Sequence, residues 1–142
     1  MALTPSSMLP LGTPAPNFEL PDSVSGKILS FHDLKSPVGT VVIFMCNHCP
    51  YVKHVLPKLL EISKIYSQKS IQFIAINSND VENYPEDSPE NMKTLAAKMR
   101  FGFPYLYDET QRIAKAYQAA CTPDFYVFDK NHRCAYRGRF DD

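Results

Sequence analysis

A Cys-x-x-Cys motif directly after an apolar run is the feature that most constrains this chain. Cys46 to Cys49 follow the run Val-Val-Ile-Phe-Met at 41–45 and precede Pro50 and a segment with helical periodicity. An apolar run without alternation predicts a central strand that is covered on both faces. A strand-to-helix junction puts the first thiol at a helix N-terminus, where unpaired N–H groups and the helix dipole stabilise a thiolate. The pattern therefore indicates thiolate chemistry with disulfides, peroxides or soft metals.

Size and charge narrow the class of protein. A chain of 142 residues fits one domain with one core, and its formal net charge of +0 gives no electrostatic case for binding nucleic acid or a membrane surface. No stretch is long enough to span a bilayer, and the N-terminus lacks the basic start and apolar run of a secretory signal. We therefore expect a cytoplasmic protein. In a reducing compartment its four cysteines favour catalysis or metal binding over a disulfide scaffold.

The order of apolar patterns predicts an α/β domain over residues 17–142, preceded by a flexible, proline-containing arm at 1–16. Ser88-Pro89-Glu90 is typical of a helix start, and Pro57 inside a helical pattern should kink that helix. The predicted elements are a hairpin at 17–34, strands at 40–45 and 71–76, helices from 51 and from 89, a short strand at 103–107, a short helix at 110–117 and a hairpin at 125–136.

Several tracts resemble the AhpC/TSA redoxin family, which has the thioredoxin fold and includes peroxiredoxins and ResA-like thiol-disulfide oxidoreductases. The opening APNFELPD at 15–22 and a Thr-Pro before the last hairpin carry this resemblance. CNHCPYVKH at 46–54, YPEDSPE at 84–90 and CTPDF at 121–125 resemble one bacterial thioredoxin-like subfamily. The resemblance implies a central mixed sheet flanked by helices, with an N-terminal β-hairpin extension. Such proteins usually continue into a final helix, which we expect this chain to lack.

The same resemblance assigns roles to the site residues. Cys46 is the attacking thiol and Cys49 the resolving thiol of a reversible disulfide. Pro123 matches the cis-proline that packs beside the sulfurs, and the backbone of Thr122 would pair with a bound peptide as an added strand. No organic cofactor is implied. The partners are a protein or small-molecule disulfide and a second redox partner that resets the cysteine pair.

Two further residues lie near the motif. His48 directly precedes the second cysteine, where a cationic imidazole would stabilise the Cys46 thiolate and raise the reduction potential. Cys121 lies two residues before Pro123. We interpret it as a third thiol with a resolving role, as a soft-metal ligand or as a small buried residue.

The sequence departs from two patterns of related proteins. Thioredoxins bury an aspartate in the strand before the motif, whereas Thr40 occupies that place and no carboxylate lies between residues 38 and 49. Peroxiredoxins place the attacking cysteine in Pro-x-x-x-Thr-x-x-Cys, which the residues before Cys46 do not match. An acidic loop follows the strand predicted at 71–76, and we expect it to be solvated. It contains Asp80, Glu82, Glu86 and Asp87.

The sequence predicts a thiol-disulfide oxidoreductase that acts through Cys46 and Cys49. One alternative is a copper(I) or zinc metallochaperone, with those two thiols and either His48 or Cys121 as ligands. A peroxiredoxin-like, antioxidant peroxide reductase and a redox-inactive interaction domain are further alternatives. Cys134, in the last predicted hairpin, is expected to be a core residue.

Overall fold

A five-stranded mixed sheet forms the centre of the protein, with the strand order β5-β4-β3-β6-β7. The computed structural model describes residues 9–47, 50–79, 84–119 and 123–138, with Tyr51 described by its backbone alone. The strands are β1 (Glu19–Pro21), β2 (Ile28–Ser30), β3 (Gly39–Phe44), β4 (Ile71–Asn77), β5 (Tyr105–Tyr107), β6 (Asp124–Phe128) and β7 (Cys134–Gly138). The helices are α1 (Phe31–Leu34), α2 (Pro50–Ser67), α3 (Pro89–Met99) and α4 (Arg112–Ala116), with a short 3₁₀ helix at Pro85–Asp87.

The sheet register brings three strand ends to one edge. β3, β4 and β5 are parallel, with Phe44 level with Ile76. β6 runs antiparallel to β3, so that its first residue, Asp124, lies opposite Phe44. Because parallel strands end at the same edge, the residues that follow β3, β4 and β5 lie at the edge of the sheet where β6 begins. This edge carries Cys46.

Both faces of the central strand β3 are covered, as the unbroken apolar run predicted. All six residues of β3 are buried. Their side chains alternate between two cores: Val41 and Ile43 pack with α2 and α3, whereas Val42 and Phe44 pack with α4 and the N-terminal elements. Side chains alternate between the two faces in any strand. In β3 the side chains on both faces are apolar, because other elements pack on each face.

The helix-start signals of the sequence are confirmed. Ser88 is the N-cap of α3, and its hydroxyl oxygen accepts the main-chain N–H of Asn91 at 3.2 Å, while Pro89 occupies the first turn. Helix α3 ends at Met99, and its C-cap residue Arg100 adopts a left-handed conformation with φ of 57°. Pro57 lies inside α2. Among the described helices, none is long and apolar enough to cross a lipid bilayer.

The β1–β2 hairpin docks on the outer strand of the main sheet. The Asp22 carboxylate is buried and accepts the main-chain N–H of Tyr105 at 3.0 Å. Ser23 donates both its N–H and its hydroxyl to the Tyr105 carbonyl, at 2.9 and 2.8 Å. Within residues 9–16, which the sequence placed in the N-terminal arm, the backbone pairs with the turn before β7 and with its first residue: Gly12 donates to the Cys134 carbonyl at 2.7 Å, and Ala15 donates to the His132 carbonyl at 2.9 Å. Leu9 is buried in the core.

Candidate functional site

Cys46 lies just beyond the carboxyl end of β3. Met45 still continues the sheet, since its N–H donates to the Ile76 carbonyl at 3.0 Å. Cys46 follows, and only 1% of it is exposed. Helix α2 begins at Pro50, four positions later. The predicted strand–motif–helix order is therefore present, with the first thiol buried beneath the junction.

Pro123 is the other predicted site residue that the structure describes. It is buried and immediately precedes β6. Since Asp124 pairs with Phe44 in antiparallel register, continuing that register by one residue brings Pro123 level with Met45, next to Cys46 in the chain. The structure thus brings Cys46 and Pro123 to one edge of the sheet. The remaining predicted site residues lie outside the described part of the chain; they are His48, Cys49, Cys121 and Thr122.

A buried carboxylate lies behind the Cys46 segment. Asp87 ends the 3₁₀ helix and is 0% exposed. Its Oδ1 accepts the main-chain N–H of Asn47 at 2.5 Å and the side-chain amide of Asn77 at 3.0 Å, and its Oδ2 accepts the side-chain amide of Asn79 at 3.1 Å. The expectation that Asp87 is solvated was wrong. Amide donors from two strand ends compensate the desolvation of the carboxylate, which would otherwise be costly.

Asn47 and Tyr105 complete this polar cluster. The Asn47 side-chain amide donates to the Glu86 carbonyl at 2.7 Å, and its Oδ1 accepts the Tyr105 hydroxyl at 2.8 Å. That hydroxyl also accepts from Asn77 at 3.3 Å. Burial raises the pKa of Tyr105 well above its usual value, and the negative charge of Asp87 and, to a smaller extent, that of Cys46 act in the same direction. Tyr105 therefore stays a neutral phenol within hydrogen-bonding distance of the motif.

Sequence reasoning missed this cluster because its members come from separate segments. A usable signal was present: Asn47, Asn77 and Asn79 follow two apolar strands whose carboxyl ends must meet, and side-chain amides buried there need a partner. Asp87 directly precedes the N-cap Ser88 of α3. That position is fixed by the helix start and therefore does not belong to a free loop.

Cys134 and His54 take no part in this cluster. Cys134 is 3% exposed and packs in the core, as predicted. Desolvation raises the pKa of its thiol, and the sulfur lies 3.5 Å from the Tyr136 carbonyl oxygen. His54 is exposed on α2. Within the described ranges no three His, Cys, Asp or Glu side chains form a group that could hold a metal ion. The metal alternative involves three residues outside those ranges and stays a prediction.

A cleft of about 800 Å³ opens at the opposite end of the sheet. It lies where β4 begins, between the C-terminal half of α2 and the segment after α3, and its lining includes Lys64, Ile71, Arg100 and Phe103. Cys46 and Pro123 are absent from its lining, since they lie at the other end of the strands. The cleft is therefore separate from the Cys46 site.

The fold defines the class of the protein. The thioredoxin domain of a thiol-disulfide oxidoreductase from Bacteroides vulgatus matches the structure with a TM-score of 0.77 at 16% identity, over 92% of this chain and 89% of that one. The fold is thus thioredoxin-like, as predicted. The sequence model of the AhpC/TSA family matches residues 11–137, so that the chain belongs to the AhpC/TSA family.

Two further proteins are similar to this chain. The chain is 25% identical over 121 residues to the thiol-disulfide oxidoreductase ResA of Bacillus cereus; the match covers 85% of this chain and 65% of that protein's length, which is less than two thirds of it. The crystal structure of an uncharacterized conserved protein from Geobacillus kaustophilus is 55% identical, with a TM-score of 0.94, over 96% of this chain and 72% of that one. Thiol-disulfide oxidoreductases are therefore among its relatives.

Proposed function

We propose that this protein is a thiol-disulfide oxidoreductase that acts through a reversible disulfide between Cys46 and Cys49. The observation that carries the proposal is the position of Cys46, at the carboxyl end of the central strand and at the sheet edge where Pro123 enters β6. Membership of the AhpC/TSA family and similarity to a thiol-disulfide oxidoreductase support it.

The proposed reaction moves two electrons from the dithiol to a partner disulfide. The Cys46 thiolate attacks one sulfur of the partner, the partner's S–S bond breaks, and the leaving thiolate takes up a proton. Cys49 then loses its proton and attacks the Cys46 sulfur of the mixed disulfide. This step releases the second partner thiol and leaves the Cys46–Cys49 disulfide, which a dithiol reductant returns to the starting state.

The burial of Cys46 sets a condition on this reaction. A residue that is 1% exposed does not present its sulfur to a macromolecular substrate, whereas reactive cysteines are partly exposed when they react. Exchange therefore requires a conformation in which this sulfur is uncovered. In that conformation the Cys46 sulfur would react with the disulfide of a protein or of a small molecule.

The proposal is tested by the dithiothreitol-driven reduction of insulin disulfides. Cys46→Ser should reduce the catalysed rate to that of dithiothreitol alone, because no attacking sulfur remains. Cys134→Ser is the matched control, since it removes a buried thiol from β7 and should retain the catalysed rate. Full activity in Cys46→Ser would overturn the assignment of the attacking thiol.

A further inference from the structure

We propose that Asp87 is a positioning residue of the Cys46 site, where its carboxylate fixes the Cys46–Asn47 peptide and opposes formation of the neighbouring thiolate. This inference rests on the proposed function, because it assigns Asp87 a part in holding the backbone of the proposed attacking residue and in keeping its thiol protonated at rest. It concerns a residue that is distant from the proposed nucleophile in the chain and that sequence reasoning placed in solvent.

The geometry makes the carboxylate an anchor for the motif. The N–H that Asp87 accepts belongs to Asn47, and this N–H is part of the peptide group that carries the Cys46 carbonyl. The contact therefore restrains the backbone of the attacking residue itself through one planar unit. A second restraint comes from the Asn47 side chain, which bonds to the Glu86 carbonyl and to the Tyr105 hydroxyl. The peptide and the side chain of Asn47 are thus both held, and the Cys46 backbone is held with them.

The hydrogen bonds at Asp87 fit an ionised group. Three N–H groups, from Asn47, Asn77 and Asn79, donate to its two oxygens. An ionised carboxylate only accepts hydrogen bonds, and donors aimed at both oxygens favour that form. Asp87 also lies directly before the N-cap of the 11-residue helix α3, where the helix dipole favours negative charge.

The charges of Asp87 and of the Cys46 thiolate both act on Tyr105, which belongs to the same buried cluster. The pKa of Tyr105 is raised first by burial and then by the charges of Asp87 and Cys46, which places both groups within electrostatic range of one phenol. A buried negative charge disfavours a second one nearby. Within the described part of the chain, Asp87 faces the amides of Asn77 and Asn79 from the β4 end, Tyr105 from β5 and the Asn47 peptide from the motif. At rest Asp87 should therefore favour the protonated thiol.

The test is the pH profile of Cys46 alkylation in the reduced full-length protein. Iodoacetamide labelling is followed by peptide mass spectrometry, so that each cysteine is counted separately. Asp87→Asn keeps the side-chain size and an oxygen that accepts from Asn47, but removes the charge. Its profile should move to lower pH by about one unit. Glu86→Gln is the matched control: it neutralises an exposed carboxylate on the same 3₁₀ helix and should leave the profile unchanged.

A profile of Asp87→Asn that coincides with that of the unsubstituted protein, or moves to higher pH, would overturn the proposal. If Asp87→Asn fails to fold, a second measurement, made on the unsubstituted protein, still tests the proposal. In the unsubstituted protein, ¹³C NMR of the aspartate carboxyl carbons should show an inflection for Asp87 at the pH where Cys46 titrates, and Cys46→Ser should abolish it. The absence of that inflection would also overturn the proposal. Neither readout requires disulfide exchange, so failure of the proposed function remains distinguishable.

Discussion

The carboxylate of Asp87 accepts the main-chain N–H of Asn47 at 2.5 Å, across 40 positions of the chain. This contact joins the 3₁₀ helix before α3 to the residue that follows Cys46. It gives the site a buried carboxylate, although the strand before the motif carries Thr40 where thioredoxins have an aspartate. The Thr40 hydroxyl instead accepts the Ser36 N–H at 2.9 Å, at the other end of β3.

Removal of the Tyr105 hydroxyl should destabilise the fold at the site. Tyr105→Phe deletes the donor to the Asn47 Oδ1 and the acceptor for Asn77, and both partners are buried. An unsatisfied buried polar group costs about 1–3 kcal/mol, and we expect a loss in that range in the free energy of unfolding from urea titration. Tyr66→Phe, at a residue that is 45% exposed, should change it little. Equal effects of the two substitutions would contradict the role of this hydroxyl.

The buried tyrosines predict a loss of stability at high pH. Burial, followed by the neighbouring Tyr126 and Cys134, raises the pKa of Tyr117 well above its usual value of about 10. Above about pH 10, Tyr117 ionises in the unfolded chain but stays neutral in the folded chain. The stabilisation is therefore complete below about pH 10 and is lost as the pH rises, with a slope of up to ~1.4 kcal/mol per pH unit for one such group.

Tyr117→Phe isolates this effect. At pH 7 it should cost about 1 kcal/mol, because the Tyr117 hydroxyl donates to the Pro16 carbonyl at 2.6 Å. Between about pH 10 and 11.5 its urea midpoint should fall less steeply than that of the unsubstituted protein, because one ionising group has been removed. Parallel curves over that interval would show that Tyr117 does not contribute to the alkaline loss.

Cys49→Ser should trap the proposed mixed disulfide. Without the resolving thiol, the bond between Cys46 and its partner persists, and a covalent adduct should be visible on non-reducing gels and by mass spectrometry. Cys46→Ser should give no such adduct. Adducts of equal yield in both variants would assign the attack to another cysteine.

His48→Ala should lower the reduction potential of the pair by tens of millivolts. A cationic imidazole before the second cysteine favours the thiolate and hence the reduced form, and about 30 mV corresponds to ~1.4 kcal/mol for this two-electron couple. The measurement is equilibration in glutathione buffers. His54→Ala, at an exposed residue of α2, serves as the control. An unchanged potential in His48→Ala would make His48 a bystander.

Most of the fold could be predicted from local patterns, because the apolar run of β3, the helical period of α2 and the Ser88 cap each reflect a nearby physical cause. The burial of Asp87 is not visible in any single segment. It depends on the meeting of β3 and β4 at one edge, so that the asparagines after both strands have to be considered together with the start of α3. The pairing of residues 12–15 with residues 132–134 is likewise long-range, and it is formed by backbone groups that any sequence carries.

A reversible two-electron couple between Cys46 and Cys49 is the centre of the proposed function. Its most direct test is the midpoint potential of that pair, from thiol trapping and mass spectrometry in glutathione buffers with metal ions chelated. We expect a single reversible transition between about −120 and −300 mV, with Cys134 remaining a thiol throughout. If no Cys46–Cys49 disulfide forms anywhere in that range, the exchange function is contradicted, and copper and zinc titrations of the reduced protein become the next experiment.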